Sequence, residues 1–251
     1  MNIHLKLITN IFLTSIGISV LLGTLLKVLG PINQSYKINR KVNLVKESSR
    51  SIEKEYLTKK ANLSSFYNNK LEKFERLEKL INKWENHIIK NPDLDVSAFF
   101  ISLDNKVYAE IKSDVMLSAA SSIKVPILIV LLTMLEKEEI IWDENLILSE
   151  DVIGSGSGWM AYQKIGQSFP VYEVATEMIR VSDNTATNLL IKRLGGITVV
   201  NQKFKDIGLK NTQINNYLPD LGGTNLTSTK DLSLAMALVD NGYLLNVSSR
   251  D

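Results

Sequence analysis

The order of β-favouring and helical segments is the feature of this sequence that most restricts its fold. Two apolar, β-favouring runs, at 96–102 and 106–111, are joined through Asp104 and Asn105, residues that tolerate the left-handed conformation of a tight turn. They predict an antiparallel hairpin. Helical patterns follow at 125–138, 171–181, 185–194, 199–207 and 228–241. Strands followed by helices are typical of the α+β class, so we expect a helical cluster packed on an antiparallel sheet, and not a doubly wound parallel sheet.

A further helix is expected just before the hairpin. Apolar residues there alternate steps of three and four, at Phe74, Leu77, Ile81, Trp84 and Ile88, which is the spacing of one helical stripe. Such a stripe can form a coiled-coil seam, but this one is too short for a sustained heptad pattern. We therefore expect the first helix of the globular domain, packed on the sheet.

The N-terminal segment predicts a membrane anchor. No residue from 7 to 26 is charged, and a helix of about 20 apolar residues crosses a bilayer. A cleaved signal peptide would have a shorter apolar region and a small-x-small cleavage site, and the residues after Lys27 offer no convincing one. We expect an uncleaved signal-anchor helix at 1–30, a charged helical spacer at 31–73 and the globular domain at 74–251.

Composition excludes several kinds of chemistry. The net charge of +2 gives no electrostatic footprint for nucleic acid. The sequence has no cysteine, which excludes disulfides, thiol nucleophiles and thiolate metal sites. His4 and His87 are its two histidines, and neither neighbours a candidate nucleophile or a cluster of metal ligands. We therefore expect neither a Ser-His-Asp triad nor a metal site.

Ser121 and Lys124 form the first candidate site. They precede the apolar helical run at 125–130, and residues three apart lie on the same face of a helix. Unpaired N–H groups at a helix N-terminus favour developing negative charge, and a desolvated lysine that loses its proton can activate a serine. Taken alone, the pattern is more typical of a helix-capping serine beside a surface lysine than of a catalytic pair.

The second element is Ser182-Asp183-Asn184, in a loop that enters another helical pattern. Alone it resembles an ordinary helix cap. S-x-x-K followed by S-D-N, however, is part of the signature of class A β-lactamases and penicillin-binding proteins. The separation of the two serines, 182 minus 121 or 61 residues, is similar to that family's. The chain thus resembles this superfamily of serine hydrolases over roughly 74–251, and the likeness continues through 194–196 and 218–225.

The resemblance implies roles for individual residues. Ser121 is the expected acylated nucleophile, its backbone N–H half of an oxyanion hole, and Lys124 the proton acceptor or a member of the proton relay. Ser182 is expected to pass the proton to the leaving nitrogen, and Asn184 to bind the substrate amide and Lys124. Asp183 is expected to brace its loop.

A Gly/Ser-rich loop, residues 154–158, matches a family loop that borders the cleft. Ser155 is therefore a candidate for substrate binding. A run of five glycines and serines is also typical of a flexible turn, so both interpretations stay open.

The resemblance breaks at the deacylation base. Class A β-lactamases hydrolyse the acyl-enzyme with a glutamate after the S-D-N helix, acting through a water. Leu218 stands at that position here, and no glutamate follows Glu177. Asp220 is a candidate replacement, although an aspartate in a loop is usually a turn former. Slow deacylation is therefore expected, as in a penicillin-binding protein or a peptidase.

A second break concerns the K-T-G element, which the family places roughly a hundred residues after S-D-N. Here 251 minus 184, or 67, residues follow Asn184, and none of them reads K-T-G or K-S-G. That strand would supply the second oxyanion N–H and the cation for a substrate carboxylate. We expect the last strands of the sheet to be missing, in a fragment of a longer product or in a degenerate homologue.

The resulting prediction is a β-lactamase-like serine hydrolase that needs no metal or organic cofactor. Its expected substrate is a β-lactam or a peptidoglycan-like small molecule. The apolar run predicts a single-pass protein of the cell membrane, and the resemblance implies that the catalytic domain is extracytoplasmic (periplasmic), although the basic residues after the run leave the orientation undecided from charge alone. Two alternatives remain: a D,D-peptidase-like or esterase activity, and a non-catalytic remnant that binds cell-wall fragments or partner proteins.

Overall fold

Strands and helices follow one another in an α+β order. The computed structural model describes residues 74–246 and 249. Within them the strands are β1 (Glu75–Arg76), β2 (Ala98–Ser102), β3 (Val107–Ile111), β4 (Leu117–Ser118), β5 (Asn145–Ile147), β6 (Ser168–Pro170) and β7 (Leu226–Thr227). The helices are α1 (Glu78–Ile89), α2 (Lys124–Glu136), α3 (Val171–Arg180), α4 (Asn184–Arg193), α5 (Gly196–Asp206) and α6 (Thr229–Asp240).

The predicted hairpin is present. β2 and β3 pair antiparallel, from Ala98 opposite Ile111 to Ser102 opposite Val107. The sheet is not purely antiparallel as predicted, because β1 adds to the other edge of β3 in the parallel direction. Helix α1 packs on β3 and α6 packs on β2. Helices therefore pack on the sheet, as expected for an α+β domain, although the strands are only partly covered and Phe100 of β2 is 43% exposed.

Helix α1 begins later than its apolar stripe suggests. The stripe starts at Phe74, but residues 75 and 76 are strand and the helix begins at Glu78. Backbone hydrogen bonds explain the difference: Glu75 N donates to Lys106 O and Leu77 N donates to Tyr108 O, each at 2.8 Å. Pairing with β3 replaces the first helical turn, which side-chain periodicity alone does not reveal.

The five helices predicted after the hairpin are confirmed, and no end differs from the prediction by more than three residues. Helix α2 is apolar on nearly all sides, with Ile127, Val130 and Leu131 fully buried. A helix of that composition belongs inside a domain. It packs against α3, α4, α5 and α6, so the helix that follows Ser121 is the centre of the core.

Two small sheets were not predicted. Strands β4 and β7 pair antiparallel, as do β5 and β6. Strands of two or three residues carry too little periodicity to be recognised in a sequence. The β4–β7 pair matters for the site, because Ala119 N also donates to Asn225 O at 2.7 Å. The segment that leads to Ser121 is thereby fixed to a distant part of the chain.

The predicted anchor at 1–30 and spacer at 31–73 lie outside the described residues, and they stay predictions. Among the residues that the structure does describe, no helix combines the length and the apolar composition needed to cross a membrane.

Candidate active site

Four of the predicted polar residues meet at the N-terminal ends of α2 and α4. Lys124 Nζ donates to Ser182 Oγ at 2.8 Å and to Asn184 Oδ1 at 3.0 Å, and lies 3.4 Å from Ser121 Oγ. Ser182 Oγ donates to Ser121 Oγ at 3.0 Å. We call these four residues the serine–lysine cluster. The structure therefore joins the two sequence motifs into one hydrogen-bonded group.

Local backbone structure sets the first half of the cluster. Ser121 lies in a 3₁₀ turn, Ala120–Ile123, that leads directly into α2, whose first residue is Lys124. The expected one-turn spacing therefore holds, although the α-helix itself begins three residues after Ser121. Ser121 is exposed while Lys124 is buried, 3% exposed. The hydroxyl is open to a ligand, and the amine that faces it is withdrawn from water.

Burial changes the acid–base chemistry of Lys124. Desolvation lowers the pKa of its ammonium from 10.5 to about 8, and the negative charge of Asp183 partly opposes this shift. At pH 7 about a tenth of such lysines are neutral, against a few in ten thousand for an unperturbed one. The neutral amine has a lone pair that can accept a proton from a hydroxyl. Lys124 therefore has the physical properties of a general base.

Ser182 has an unusual backbone conformation. Its φ is +58°, in the left-handed region that costs a residue with a Cβ roughly 1–2 kcal/mol. In this conformation both its carbonyl oxygen, at 2.7 Å, and its Oγ accept from Lys124 Nζ. The NH groups of Val181 and Asp183, its two neighbours, both donate to Glu177 O. Backbone bonds on either side thus hold the strained residue in place.

Asp183 braces the turn, as expected. It is fully buried, and its Oδ2 accepts from the backbone NH groups of Trp159, at 2.7 Å, and Met160, at 2.9 Å. Its Oδ1 accepts from Ala186 N at 2.9 Å, which caps helix α4. One carboxylate therefore connects the S-D-N turn, the start of α4 and the chain that follows the Gly/Ser-rich loop.

The Gly/Ser-rich loop contacts the cluster through its backbone. Asn184 Nδ2 donates to Ser155 O at 2.8 Å, and Asn184 N donates to Ser157 O at 3.1 Å. The Ser155 side chain is exposed. The structure places Ser155 at the edge of the cluster, and a substrate contact by its hydroxyl stays a prediction. The Asn184 amide is oriented at both ends, with oxygen toward Lys124 and nitrogen toward Ser155.

Leu218 is held by its backbone. Asn188 Nδ2 donates to Leu218 O at 2.6 Å, and Leu218 N donates to Asn188 Oδ1 at 2.8 Å. A Cβ added to Gly154 would lie 2.3 Å from Leu218 O and 3.1 Å from Asn184 Cβ. Leu218 therefore lies beside the S-D-N turn, with only a glycine between their backbones.

Asp220 is held within its own loop. Its Oδ1 accepts from Thr224 Oγ1 at 2.9 Å and its Oδ2 accepts from Asn225 N at 2.5 Å. Both oxygens thus serve the turn, and these bonds do not bring the carboxylate to Ser121. A role for Asp220 as deacylation base stays a prediction that these contacts do not support.

Sequence analysis missed Asn188 and Glu177. Both are buried polar residues on helices, and both bond to the loops around the cluster. A signal existed for Asn188, since an amide within the apolar run that continues through Leu189 and Leu190 must find partners when it is buried. The identity of those partners depends on tertiary packing and could not be predicted.

Helices on a small sheet, with two serines around a buried lysine, match the β-lactamase and penicillin-binding superfamily that the motifs suggested. The chain belongs to the beta-lactamase enzyme family, whose model matches residues 76–251.

Among solved structures, PBP-A is 38% identical and covers 71% of this chain and 67% of its own, with a TM-score of 0.69. A mutant of PBP-A, solved as an acyl-enzyme complex with penicillin G, is similar to the same degree, at 37% identity and a TM-score of 0.69, covering 70% of this chain and 67% of its own.

Curated relatives match shorter stretches. β-Lactamase ROB-1 of Haemophilus influenzae is 34% identical over 83 residues, 32% of this chain and 27% of that protein. β-Lactamase BRO-1 of Moraxella catarrhalis is 27% identical over 157 residues, 62% of this chain and 48% of that protein. The chain thus spans between about a quarter and a half of the length of these relatives.

The contact between Gly158 and Asp183 gives a stability prediction. A Cβ at Gly158 would lie 2.0 Å from Asp183 Oδ2, whereas a Cβ at Gly166 would meet nothing within 4 Å. Both glycines have positive φ, 95° and 88°, so both Ala variants carry backbone strain of about 1–2 kcal/mol. We expect Gly158→Ala to lower the free energy of unfolding by about 2 kcal/mol more than Gly166→Ala, since the buried carboxylate must move. Urea unfolding measures both, and equal losses would contradict the contact.

Proposed function

We propose that this chain is a penicillin-interacting serine hydrolase in which Ser121 attacks the carbonyl carbon of a β-lactam or a related peptidoglycan-like amide. The observation that carries the proposal is the serine–lysine cluster, with an exposed hydroxyl and a buried amine whose pKa is lowered to about 8. Membership in the beta-lactamase enzyme family supports the same reaction class.

The distances suggest how the proton leaves Ser121. The direct path to Lys124 Nζ is 3.4 Å, whereas a path through Ser182 Oγ consists of steps of 3.0 Å and 2.8 Å. Hydroxyl hydrogens rotate freely, so Ser182 can donate to Lys124 while it accepts from Ser121. The shorter steps favour a relay, with neutral Lys124 as the final proton acceptor.

Acylation then follows in balanced steps. The Ser121 oxygen forms an ester bond with the carbonyl carbon, and the backbone N–H of Ser121 helps to stabilise the oxyanion. The carbon–nitrogen bond of the substrate breaks, and Ser182 returns the proton to the leaving nitrogen. Asn184 binds the substrate amide beside the cluster. Water finally hydrolyses the ester and restores the serine.

Deacylation is expected to be slow. Leu218 has no group that could activate water, and both oxygens of Asp220 accept bonds within its own loop. This favours penicillin binding with a long-lived adduct over efficient β-lactam hydrolysis. The same observation favours the second candidate, a D,D-peptidase-like or esterase activity, in which the acyl group is not a β-lactam.

Replacing Ser121 tests the proposal directly. We expect the full chain, in detergent, to form a covalent adduct with a fluorescent penicillin, and Ser121→Ala to abolish it because the attacking oxygen is absent. Ser122→Ala is the matched control, since that neighbouring hydroxyl bonds to Ala119 O within its turn. Gel fluorescence and intact mass measure the adduct. A folded wild-type chain without any adduct would favour the non-catalytic remnant instead.

The lowered pKa of Lys124 predicts the pH dependence of acylation. Raising the pH removes the ammonium proton and creates the base, so the acylation rate constant should rise about tenfold per pH unit below 8 and level off above about 9. Lys124→Arg keeps the charge but cannot lose its proton in this range, and we expect it to remove the rise. Stopped-flow acylation from pH 6 to 10 measures both profiles. A flat wild-type profile would exclude Lys124 as the base.

The fixed backbone of Leu218 predicts the effect of a carboxylate there. We expect Leu218→Glu to shorten the lifetime of the acyl-enzyme about 100-fold, the size of a general-base contribution. Leu221→Glu adds the same group in the same loop at a side chain that is 93% exposed, and should leave the lifetime unchanged. Loss of the label over time measures both. Equal lifetimes for the two variants would refute the equivalence of Leu218 with the family glutamate.

A further inference from the structure

Glu177 is a buried carboxylate behind the S-D-N turn that the proposed reaction does not use. Its side chain is 9% exposed. Its Oε2 accepts from Trp159 Nε1 at 2.6 Å, and Arg180 Nη2 donates to both of its oxygens at 2.7 Å. Two cationic or polar donors thus compensate one buried negative charge.

The two partners of Glu177, Arg180 and Trp159, differ in their surroundings. Arg180 is largely exposed, at 60% of its side chain, whereas Glu177 is 9% exposed, so the ion pair contributes to stability by compensating a buried charge. Trp159 is partly buried, with its ring edge-to-face against Phe169 at a centroid distance of 5.9 Å. The Trp159 backbone N–H donates to Asp183. The hydrogen bond from the Trp159 indole therefore connects Glu177 to the site, whereas the ion pair with Arg180 faces solvent.

Trp159 directly follows the Gly/Ser-rich loop, so its position limits where Ser155 O can lie. Ser155 O accepts from Asn184 Nδ2, and the opposite end of that amide accepts from Lys124. An amide has donors at one end and an acceptor at the other. Rotating it by half a turn would break both bonds, so the loop and the lysine together determine which end of the amide faces the lysine.

We propose that Glu177 is a positioning residue, which acts through Trp159 to hold the Gly/Ser-rich loop against the S-D-N turn and so keeps the Asn184 oxygen directed at Lys124. This inference rests on the proposed function, since it assigns Glu177 to the acylation of Ser121. The interpretation it competes with is that Glu177 only neutralises Arg180 at the end of α3.

Four variants separate these interpretations. Glu177→Leu removes the acceptor at similar volume, and Glu177→Gln keeps an oxygen for the indole. Trp159→Phe keeps an aromatic ring but removes the N–H, which also covers the case in which the Leu variant does not fold. Arg180→Ala removes the ion pair and leaves the indole bond.

The measurements are the acylation rate constant with fluorescent penicillin, scaled to the folded fraction, and hydrogen exchange of the backbone around Trp159. We expect Glu177→Leu and Trp159→Phe each to slow acylation about tenfold through misplacement of a catalytic group. The double variant should be no slower than either single one, because both break the same bond. Glu177→Gln should restore the rate to within about threefold of wild type. Arg180→Ala lowers stability, because it removes one partner of a buried charge, but it should change the rate of the folded fraction by less than that, because the indole bond remains.

Exchange gives a readout that does not depend on activity. The Trp159 and Met160 amides should lose protection in Glu177→Leu and keep it in Glu177→Gln. If Glu177→Leu has the acylation rate and the hydrogen exchange of the wild type, the positioning role is overturned while the proposed function stands. The same follows if Arg180→Ala slows acylation as much as Glu177→Leu does and Trp159→Phe does not. A folded wild-type chain without an adduct would overturn the proposed function and this role with it.

Discussion

Burial of the Lys124 amine is the constraint on which the rest of this site depends. An ammonium withdrawn from water must either find acceptors or give up its proton. Lys124 finds them in Ser182, which offers two oxygens, and in Asn184. Because these acceptors come from the turn before α4, helices α2 and α4 must pack with their N-terminal ends together. The serine hydroxyls then lie beside this lysine, whose pKa is lowered to about 8, and in the proposed reaction its neutral form is their base.

The turn that provides the acceptors for Lys124 is strained at Ser182, and hydrogen bonds from the surrounding chain stabilise it. Ser182 has positive φ. The backbone N–H groups on either side of it donate to Glu177 O, and the buried carboxylate of Asp183 ties the turn to Trp159, Met160 and the start of α4. The Gly/Ser-rich loop must approach closely, which excludes side chains at Gly154 and Gly158. The composition of that loop, which reads as flexibility in the sequence, is a consequence of close contact.

The long helices and the hairpin could be predicted because their periodicity spans many residues, and Ser121 and Lys124 could be paired because one helical turn relates them. The join between Lys124 and Ser182 could be inferred only by resemblance, since 58 residues separate them. Strand β1 was missed because pairing with β3 outcompetes the helical pattern that begins at Phe74. The left-handed Ser182 and the Glu177–Trp159 bond depend on tertiary contacts that no local pattern encodes.

In the proposed reaction, acylation and deacylation differ in the side chains available to them and not in how firmly the backbone is held. The groups needed for acylation are fixed to one another by hydrogen bonds, and loop and helix backbone atoms also hold Asn184 and the residues that flank Ser182. On the deacylation side the backbone is equally well fixed, because Asn188 holds Leu218 at both its N–H and its carbonyl. What that position lacks is only a side chain able to take a proton. The Asp220 carboxylate is engaged within its own turn, whereas the backbone at 218 is already fixed beside the S-D-N turn. The Leu218 side chain is 6% exposed and belongs to the core, so a carboxylate there loses hydration that neighbouring groups must replace. In the proposed reaction, the lifetime of the adduct therefore depends on the side chain at 218 and on how its surroundings accommodate a charge.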